Sequence, residues 1–254
     1  MILPDLLSVE GLGLAFVIIF FVLMLIFAAA GRKRPTSIFR PIPAFNRLVR
    51  ALGLAVEAGQ RLHVSLGWGG IFGLRGGSAL VGLSVLNRMA RIAAISDRPP
   101  VATSGEGTTA LLSQETISAS QRFLGEQVGL TPAAGQLTGV TPFSYAVGTF
   151  PLIRNQQVSA NFLAGHFGVE AALITDAAER NGSLSLGGSD NLSGQAVLFA
   201  SAIEPLIGEE LYASSAYLQA GNLHVASLRA QDAFRWIVVL AIIAGAVLKF
   251  LGVL

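Results

Sequence analysis

Short glycine-rich segments follow several apolar stretches of this chain, and they are where its residue types could support chemistry. In the clearest case residues 105–110 read Gly-Glu-Gly-Thr-Thr-Ala, which fits the pattern G-x-G-x-x-A between a predicted strand and a predicted helix. Glycine lets backbone N–H groups approach a phosphate, and a helix N-terminus attracts its negative charge. The segment is a candidate nucleotide-binding loop. Against it, Glu106 would place a carboxylate beside the phosphates, and Glu126, the acid nearest the expected spacing, falls near a helix end.

Corresponding turns elsewhere supply the other candidate ligand-contacting residues. Each has a structural alternative, because glycine also serves tight turns and a carboxylate in a first helical turn is favoured by the helix dipole. A single histidine in a turn is likewise compatible with simple packing. The predicted ligand-binding residues are Gly105, Glu106, Gly107, Thr108, Gly165, His166, Gly187, Gly188 and Glu209.

Several kinds of catalysis are excluded by residue type. The chain has no cysteine, so a cysteine nucleophile, a disulfide scaffold and a zinc finger are excluded. Its two lysines, Lys33 and Lys249, both lie beside apolar segments, which excludes a P-loop or Schiff-base lysine in the region between. His63, His166 and His224 form no H-E-x-x-H motif and no metal-ligand spacing. We therefore predict no catalytic residue, no metal and no cofactor.

The first of two strongly apolar segments covers residues 12–30 and contains no charged or hydrogen-bonding side chain. As a helix it would be about 28 Å long, close to the thickness of the hydrocarbon core. A basic cluster at 32–34 follows it, whereas only Asp5 and Glu10 precede it. The positive-inside rule then places the N-terminus outside and the following residues in the cytoplasm. A cleaved signal peptide would need its basic residues before the apolar run.

The second apolar segment covers residues 236–254 and is interrupted only by Lys249, which can reach the membrane interface. Arg235 precedes it, and Trp236 occupies an interfacial position. Because the uninterrupted run 236–248 is short, a shallow interfacial helix remains the alternative to a spanning one. If both segments span, the region between them faces the cytoplasm of a bacterial cell and both termini lie outside its cytoplasmic membrane.

Between these segments a short apolar run, a glycine-rich turn and a helical pattern recur in that order. Such alternation predicts parallel βαβ units. We expect a Rossmann-like three-layer α/β domain with a mainly parallel sheet of five or six strands, with chemistry at the carboxyl ends of the strands. The predicted strands are 62–66, 100–103, 160–164, 183–186 and 205–207, with 137–140 as a further one, and the predicted helices are 44–60, 78–95, 108–127, 169–180, 192–202 and 209–220.

Composition along the chain predicts four regions. Residues 1–31 are an N-terminal transmembrane anchor, and 32–61 are a basic, proline-containing linker with an amphipathic helix. Residues 62–222 form the Rossmann-like domain. Residues 223–254 are a C-terminal helix that continues into the second transmembrane anchor.

Four short segments carry a resemblance to a known family. They are His-Val-Ser-Leu-Gly at 63–67, Gly-Val-Glu-Ala at 168–171, Leu-Ile-Gly-Glu-Glu-Leu-Tyr at 206–212 and Ala-Gln-Asp at 230–232. The chain resembles an uncharacterised family of bacterial membrane proteins, a domain of unknown function of the Chloroflexota type, across most of residues 44–240. The resemblance implies a membrane protein without an assigned activity and supplies no catalytic residue.

Two functional hypotheses follow. The first is a membrane-anchored scaffold that associates with copies of itself or joins a larger membrane assembly. A charged fraction of only 13% favours it, as does the small-xxx-small spacing of Gly11 with Ala15 and of Ala241 with Gly245. The second is a nucleotide- or anion-binding sensor or enzyme that uses the glycine-rich turns. A net charge of +2 is too small to indicate nucleic-acid binding.

Overall fold

A computed structural model of the chain describes residues 9–31, 39–72, 76–94, 96, 98–122 and 134–252. These residues divide into two compact units, one within 1–39 and 221–254 and the other within 40–220. The helices are α1 Val9–Ala30, α2 Pro43–Glu57, α3 Gly76–Ala93, α4 Gly107–Arg122, α5 Pro142–Asn155, α6 Ala171–Arg180, α7 Leu192–Ser201, α8 Glu210–Tyr217 and α9 Asn222–Phe250. The strands are β1 Arg61–Gly67, β2 Val101–Ser104, β3 Gly135–Leu137, β4 Val158–His166, β5 Leu184–Ser189 and β6 Glu204–Pro205.

The first unit contains the two apolar helices, α1 and α9. Both are long and apolar enough to cross a membrane, and the most apolar part of each keeps its surface outside the protein interior. The helices pack together through Phe234, whose ring centroid lies 4.6 Å from that of Phe16 and 6.0 Å from that of Phe20. The prediction of one continuous helix from about residue 223 into the second apolar segment is confirmed.

The second unit is a six-stranded parallel sheet within the described residues, with strand order β3-β2-β1-β4-β5-β6. All five strand pairs are parallel. This is the order of a doubly wound fold, in which the chain starts at the centre, builds one half outward and returns to build the other. The predicted Rossmann-like α/β class is therefore confirmed.

Helices cover both faces of the sheet, and two adjacent residues of β4 pack into two different apolar cores, one on each face. Phe162 packs in a core with Leu86 of α3 and with side chains of α2 and α8. The next residue, Leu163, packs on the other face with Tyr145 of α5 and Ile174 of α6. Successive side chains of a strand point to opposite faces, so a sheet buried on both sides needs apolar residues at consecutive positions.

Two predicted turns are wrong because their glycines belong to strands. Gly165 lies in β4, where an added Cβ would come within 2.0 Å of the carbonyl oxygen of Leu66 in β1. Gly187 and Gly188 lie in β5, where added Cβ atoms would come within 2.9 Å of Leu163 and 3.0 Å of Leu206. These glycines permit close packing inside the sheet.

Several other helices and strands begin or end a few residues away from their predicted boundaries. The strand predicted at 137–140 is β3, which begins earlier and ends at Leu137. Helix α3 ends at Ala93 and α4 at Arg122, and residues 95 and 123–127 of the predicted helices lie outside the described residues.

Helix α5 was not predicted, although its start carries a recognisable signal. Thr141 accepts a hydrogen bond from the backbone N–H of Ser144, and the Ser144 side chain accepts one from the backbone of Thr141. This capping box, with Pro142 in the first turn, is a sequence-level helix start. Pro151 inside the helix obscures the pattern, and α5 is the crossover that carries the chain from β3 to β4.

We predict that Gly82→Ala destabilises the protein by about 1–3 kcal/mol, the usual cost of overpacking. A Cβ at Gly82 would lie 2.6 Å from both the Ala164 carbonyl oxygen and a Leu66 methyl group, so α3 would have to move off the sheet. In the control, Gly53→Ala in α2, the added Cβ meets nothing within 4 Å. The control should stabilise its helix by up to about 1 kcal/mol. Thermal unfolding in detergent measures both, and equal stability of the two variants would contradict the prediction.

Candidate functional site

The parallel strands all finish at the same end of the sheet. Strands β1, β2, β4 and β5 end there at Gly67, Ser104, His166 and Ser189. We call this end the carboxyl pole and the opposite end, where the strands begin, the amino pole. Neighbouring β1 and β4 lead to opposite halves of the sheet. Doubly wound folds bind ligands at the carboxyl ends of strands beside such a switch point.

The glycine-rich turn after β1 lies directly on this switch point. Gly67 has φ +75°, and a Cβ there would lie 2.5 Å from the backbone oxygen of His166 at the end of β4. Gly70, three residues on, faces Glu106 beyond the end of β2, since its Cβ would be 3.2 Å from the Cγ of Glu106. The turn therefore contacts the segments that follow both neighbouring strands. This turn is not among the ligand-binding residues predicted from the sequence.

The predicted loop at 105–110 follows β2, one strand away from the switch point. Gly105 packs against the turn after β1, because an added Cβ would come within 2.7 Å of the Trp68 Cα. Gly107 begins α4, and an added Cβ there meets nothing within 4 Å. Gly105 is thus needed for the contact between two turns, whereas Gly107 faces open space.

Glu106 occupies the N-terminus of α4 with its own carboxylate. Its Oε1 accepts a hydrogen bond from the Thr108 backbone N–H at 3.0 Å, and its Oε2 accepts from the Thr109 N–H at 2.8 Å and the Thr109 hydroxyl at 3.0 Å. Burial opposes ionisation, but the combined hydrogen bonds from Thr108 and Thr109 hold the pKa of Glu106 below its ordinary value. The N–H groups that were expected to meet a phosphate therefore bind Glu106.

A histidine–carboxylate pair spans the ends of β4 and β5. The Nδ1 of His166 lies 2.6 Å from Asp190 Oδ1, and Ser78 of α3 donates to Asp190 Oδ2 at 2.9 Å. Because a carboxylate only accepts hydrogen bonds, Nδ1 of His166 donates this one. Trp68 places its ring edge-on to the imidazole, with centroids 4.7 Å apart, and His166 is 7% exposed. The pair resembles the orienting half of a general-base arrangement.

Glu170 is a second acid at this pole, placed just before α6. It is 2% exposed, and its Oε1 accepts a hydrogen bond from the backbone N–H of Gly168 at 2.7 Å. Among the described residues no group of three or more His, Asp and Glu side chains could hold a metal ion.

The predicted site residues are thus only partly brought together. Gly165 and His166 lie beside the turn that contacts Gly105 and Glu106. Glu209 occupies the N-cap position of α8 after β6, the outermost strand of the sheet, and its side chain makes no capping hydrogen bond. Sequence reasoning included His166 but not its partner Asp190, whose place after a predicted strand was the available signal.

A family model described as a domain of unknown function (DUF6754) matches residues 6–254. The chain belongs to this family. The match confirms the resemblance to an uncharacterised family without an assigned activity, so no residue role is carried over from it. Searches of the curated proteins and of the solved structures found no match.

A chain of buried hydrogen bonds runs beneath the carboxyl pole on the α5 face of the sheet. His63 Nδ1 lies 2.8 Å from Asn161 Oδ1, and its Nε2 lies 2.9 Å from Thr103 Oγ1. Thr103 Oγ1 is 3.1 Å from the Tyr145 hydroxyl, which accepts the Gly67 backbone N–H at 3.2 Å. All four side chains are fully buried. These hydrogen bonds link the centre of the sheet to the glycine-rich turn after β1. The link passes through Tyr145 of α5, the helix that was not predicted.

Burial lowers the pKa of His63 to about 4, with the Asn161 hydrogen bond opposing the shift only in part. Its neutral form has both ring nitrogens hydrogen-bonded. An unfolded histidine ionises near pH 6.5, so the unfolded chain takes up this proton first as the pH falls. Neutral, buried His63 therefore contributes to the free energy of unfolding in full above pH 6.5. This contribution, about 3 kcal/mol in total, is lost as the pH falls toward 4.

We predict that His63→Gln, which cannot ionise, removes this part of the pH dependence while lowering stability at neutral pH. Thermal unfolding of the full chain between pH 7 and pH 4 measures it. The matched control is His224→Gln, at an exposed position of α9, and it should keep the wild-type dependence. Identical pH profiles for His63→Gln and wild type would show that His63 does not govern acid sensitivity.

Proposed function

We propose that the chain is a membrane-anchored assembly subunit whose α/β unit associates edge to edge with further copies of itself. The observation that carries the proposal is that both edges of the parallel sheet present exposed apolar side chains. Contiguous apolar surface on a folded domain marks an interaction site.

The first surface surrounds β3, and we call it the β3 edge. Val140 is 73% exposed and Phe143 is 58% exposed, and both lie where the chain passes from β3 into α5. Val147, one turn after Phe143, continues the surface beside Gly148, which packs against Thr138. The exposed apolar members of this edge are Leu111, Leu137, Val140, Phe143 and Val147.

The second surface surrounds β6, and we call it the β6 edge. Helix α7 buries only Gly194 and Leu198, whereas Leu192 is 81% exposed and Phe199 is 69% exposed. Ile203 and Ile207 extend this surface on either side of the strand. The exposed apolar members of this edge are Leu192, Phe199, Ile203 and Ile207.

The two surfaces differ and lie at opposite edges, so their pairing would be heterologous, β3 edge to β6 edge. Heterologous contacts generate rings when the rotation closes. Strand β6 has only two residues and ends in Pro205, so the sheet is poorly suited to continue through backbone pairing. The contact would therefore depend on side chains. Anchoring in a membrane would raise the local concentration of copies and favour even a modest contact.

Contacts at the carboxyl pole support a structural role for that region. Glu106 binds the N-terminus of α4, Glu170 binds the backbone of Gly168, and Asp190 binds His166 and Ser78. These groups stabilise the turns around the switch point. We propose further that the α/β unit faces the cytoplasm of a bacterial cell, as the basic cluster at 32–34 favours, and acts without nucleic acid.

For self-association we predict that Phe199→Asp and Phe143→Asp each weaken assembly at least tenfold, because a charge would be buried in an apolar contact. The control is Val49→Asp, which places the same charge at a 53% exposed position of α2 and should leave assembly unchanged. Native mass measurement in several mild detergents reports subunit number. A strictly monomeric wild type would contradict the proposal, and oligomers that persist in both variants would exclude the sheet edges as the interface.

A nucleotide- or anion-binding role is the second candidate, and one observation favours it. In dinucleotide-binding folds the turn after β1 meets the pyrophosphate and an acid after β2 binds the ribose. Here Gly70 of the turn after β1 lies against Glu106 after β2, so these two elements are adjacent. Glu126, the acid nearest the expected spacing in the sequence, lies outside the described residues.

We predict that a panel of nucleotides leaves the thermal stability of the protein unchanged, because Glu106 already binds the α4 N-terminus and would repel phosphate. A nucleotide that bound the folded protein would stabilise it by about 2.7 kcal/mol at a hundredfold excess over its dissociation constant. Such a shift, abolished by Glu106→Ala, would establish the second candidate instead.

A further inference from the structure

The two apolar helices of the first unit pack side by side in opposite directions. The rings of Phe16 and Phe20, near the middle of α1, both contact the ring of Phe234 in α9. At the end of α1, the Nη1 atom of Arg229 would lie 3.7 Å from a Cβ at Gly31. Higher residue numbers in α1 thus meet lower residue numbers in α9. The charged first half of α9 therefore lies beside the apolar second half of α1.

Apolar surface extends in both directions from the aromatic contact. In one direction α9 continues from Trp236 for about 21 Å to Phe250. In the other, α1 continues from Phe20 for about 15 Å to Ala30. Lys249, near the far end of α9, is the only charged residue in these two stretches. The combined apolar surface is about 40 Å long, and a bilayer core of about 30 Å covers it when the pair is tilted.

Two charged residues lie within this surface, close to the aromatic contact. Asp232 and Arg235 flank Phe234 in the sequence and pair with each other, with 3.5 Å between Asp232 Oδ1 and Arg235 Nη1. Their side chains are 56% and 54% exposed. In the sequence these residues simply precede the apolar run of α9, but α1 carries apolar surface past them on the other side. A bilayer that covers both stretches therefore includes them.

Charged side chains at membrane depth are unfavourable against lipid, so they face other helices or pair with one another. Arg229 reaches the end of the α1 apolar run, because its guanidinium lies beside Gly31, and a long basic side chain placed there meets the membrane interface. Asp232 has a short side chain, and Arg235 is directed toward it. These two side chains are therefore expected to face protein within the bilayer.

We propose that Asp232 and Arg235 form an interface inside the membrane between copies of this chain, with Arg235 of one copy bound to Asp232 of the next. Copies inserted in one membrane share an orientation, so a rotation about the membrane normal places equal residues at equal depth. Arg235 already reaches the depth of Asp232 within its own helix, so it also reaches that depth on a neighbour. The surface carries one acid and one base, and it complements itself.

This inference rests on the self-association proposed above but places a contact in the first unit, away from the sheet edges. Charge complementarity selects a second copy as the occupant of the surface. The pairing also gives the assembly a fixed register in the membrane, because one acid and one base must meet at the same depth.

The depth of the surface is tested in vesicles that hold the full chain. Because the chain has no cysteine, Gln231→Cys and Lys249→Cys each provide a single site for a spin label. Both positions are exposed on α9. The label next to Asp232 should be accessible to oxygen and protected from a water-soluble nickel complex, whereas the label at Lys249 should be more accessible to nickel. Equal or greater nickel access next to Asp232 would place the charges in water and overturn the proposal.

The pairing between copies is tested by charge reversal. Asp232→Arg and Arg235→Asp each bring like charges together, so each variant alone should associate about tenfold more weakly than the wild type. When the two variants are co-expressed with tags of different mass, their charges complement each other and mixed oligomers should form. The control Lys249→Gln removes a charge outside the interface and should keep the wild-type subunit number. Native mass measurement in mild detergent reports the number and the kind of subunits.

Thermal unfolding in the same detergent separates loss of fold from loss of association. If a reversal variant does not fold, Asp232→Asn, which keeps the shape of the side chain without its charge, should fold and still associate more weakly. Wild-type oligomers in all of these variants would exclude the surface. Folded reversal variants that stay monomeric on co-expression would show that the pair acts only within one chain.

The same measurements distinguish this inference from the proposed function. A monomeric wild type would contradict self-association itself. Oligomers lost only in the sheet-edge variants Phe143→Asp and Phe199→Asp would retain self-association and exclude the membrane interface. Oligomers lost in the charge-reversal variants and regained on co-expression would support the membrane interface.

Discussion

The close approach of β1 and β4 is the constraint on which the α/β unit depends. A Cβ at Gly165 would overlap the Leu66 carbonyl, and one at Gly67 would overlap the backbone of His166. On the helix side, Gly82 brings α3 against the same two strands. Side chains are excluded at these points because backbone must meet backbone, so the switch point is built from glycines. The turn after β1, the His166–Asp190 pair and the crossover helix α5 are all positioned from it.

Parallel strand order has a second consequence, which is the sorting of charge. Helices α3 to α7 each connect two parallel strands, so each begins at the carboxyl pole and runs toward the amino pole. Acids favour helix starts and arginines favour helix ends. Local preferences that are weak in any one helix therefore add up across the unit. Glu106, Glu170 and Asp190 collect at one pole, and the arginines of α3 to α6 collect at the other.

The two poles differ in how their charges are used. At the carboxyl pole the acids bind backbone N–H groups, a histidine and a serine of the same unit. At the amino pole several arginines are exposed, and Arg154 and Arg180 line a groove. The apolar sheet edges are likewise exposed. In the described part of the unit, the two sheet edges and the amino pole thus carry exposed apolar and basic side chains, whereas the acids of the carboxyl pole are bonded within the unit.

The sequence by itself determined the architecture of this protein. Apolar runs alternating with helical patterns predicted the parallel sheet, and two long apolar segments predicted α1 and α9, because periodicity and length depend on local residue order. Only the tertiary structure decided which turn meets the switch point, why Gly187 and Gly188 belong to a strand, and that Asp190 pairs with His166. It also showed that α5, hidden by Pro151, supplies Tyr145 to a buried network. These contacts join residues far apart in the chain, and no local pattern reports which strand becomes the neighbour of which.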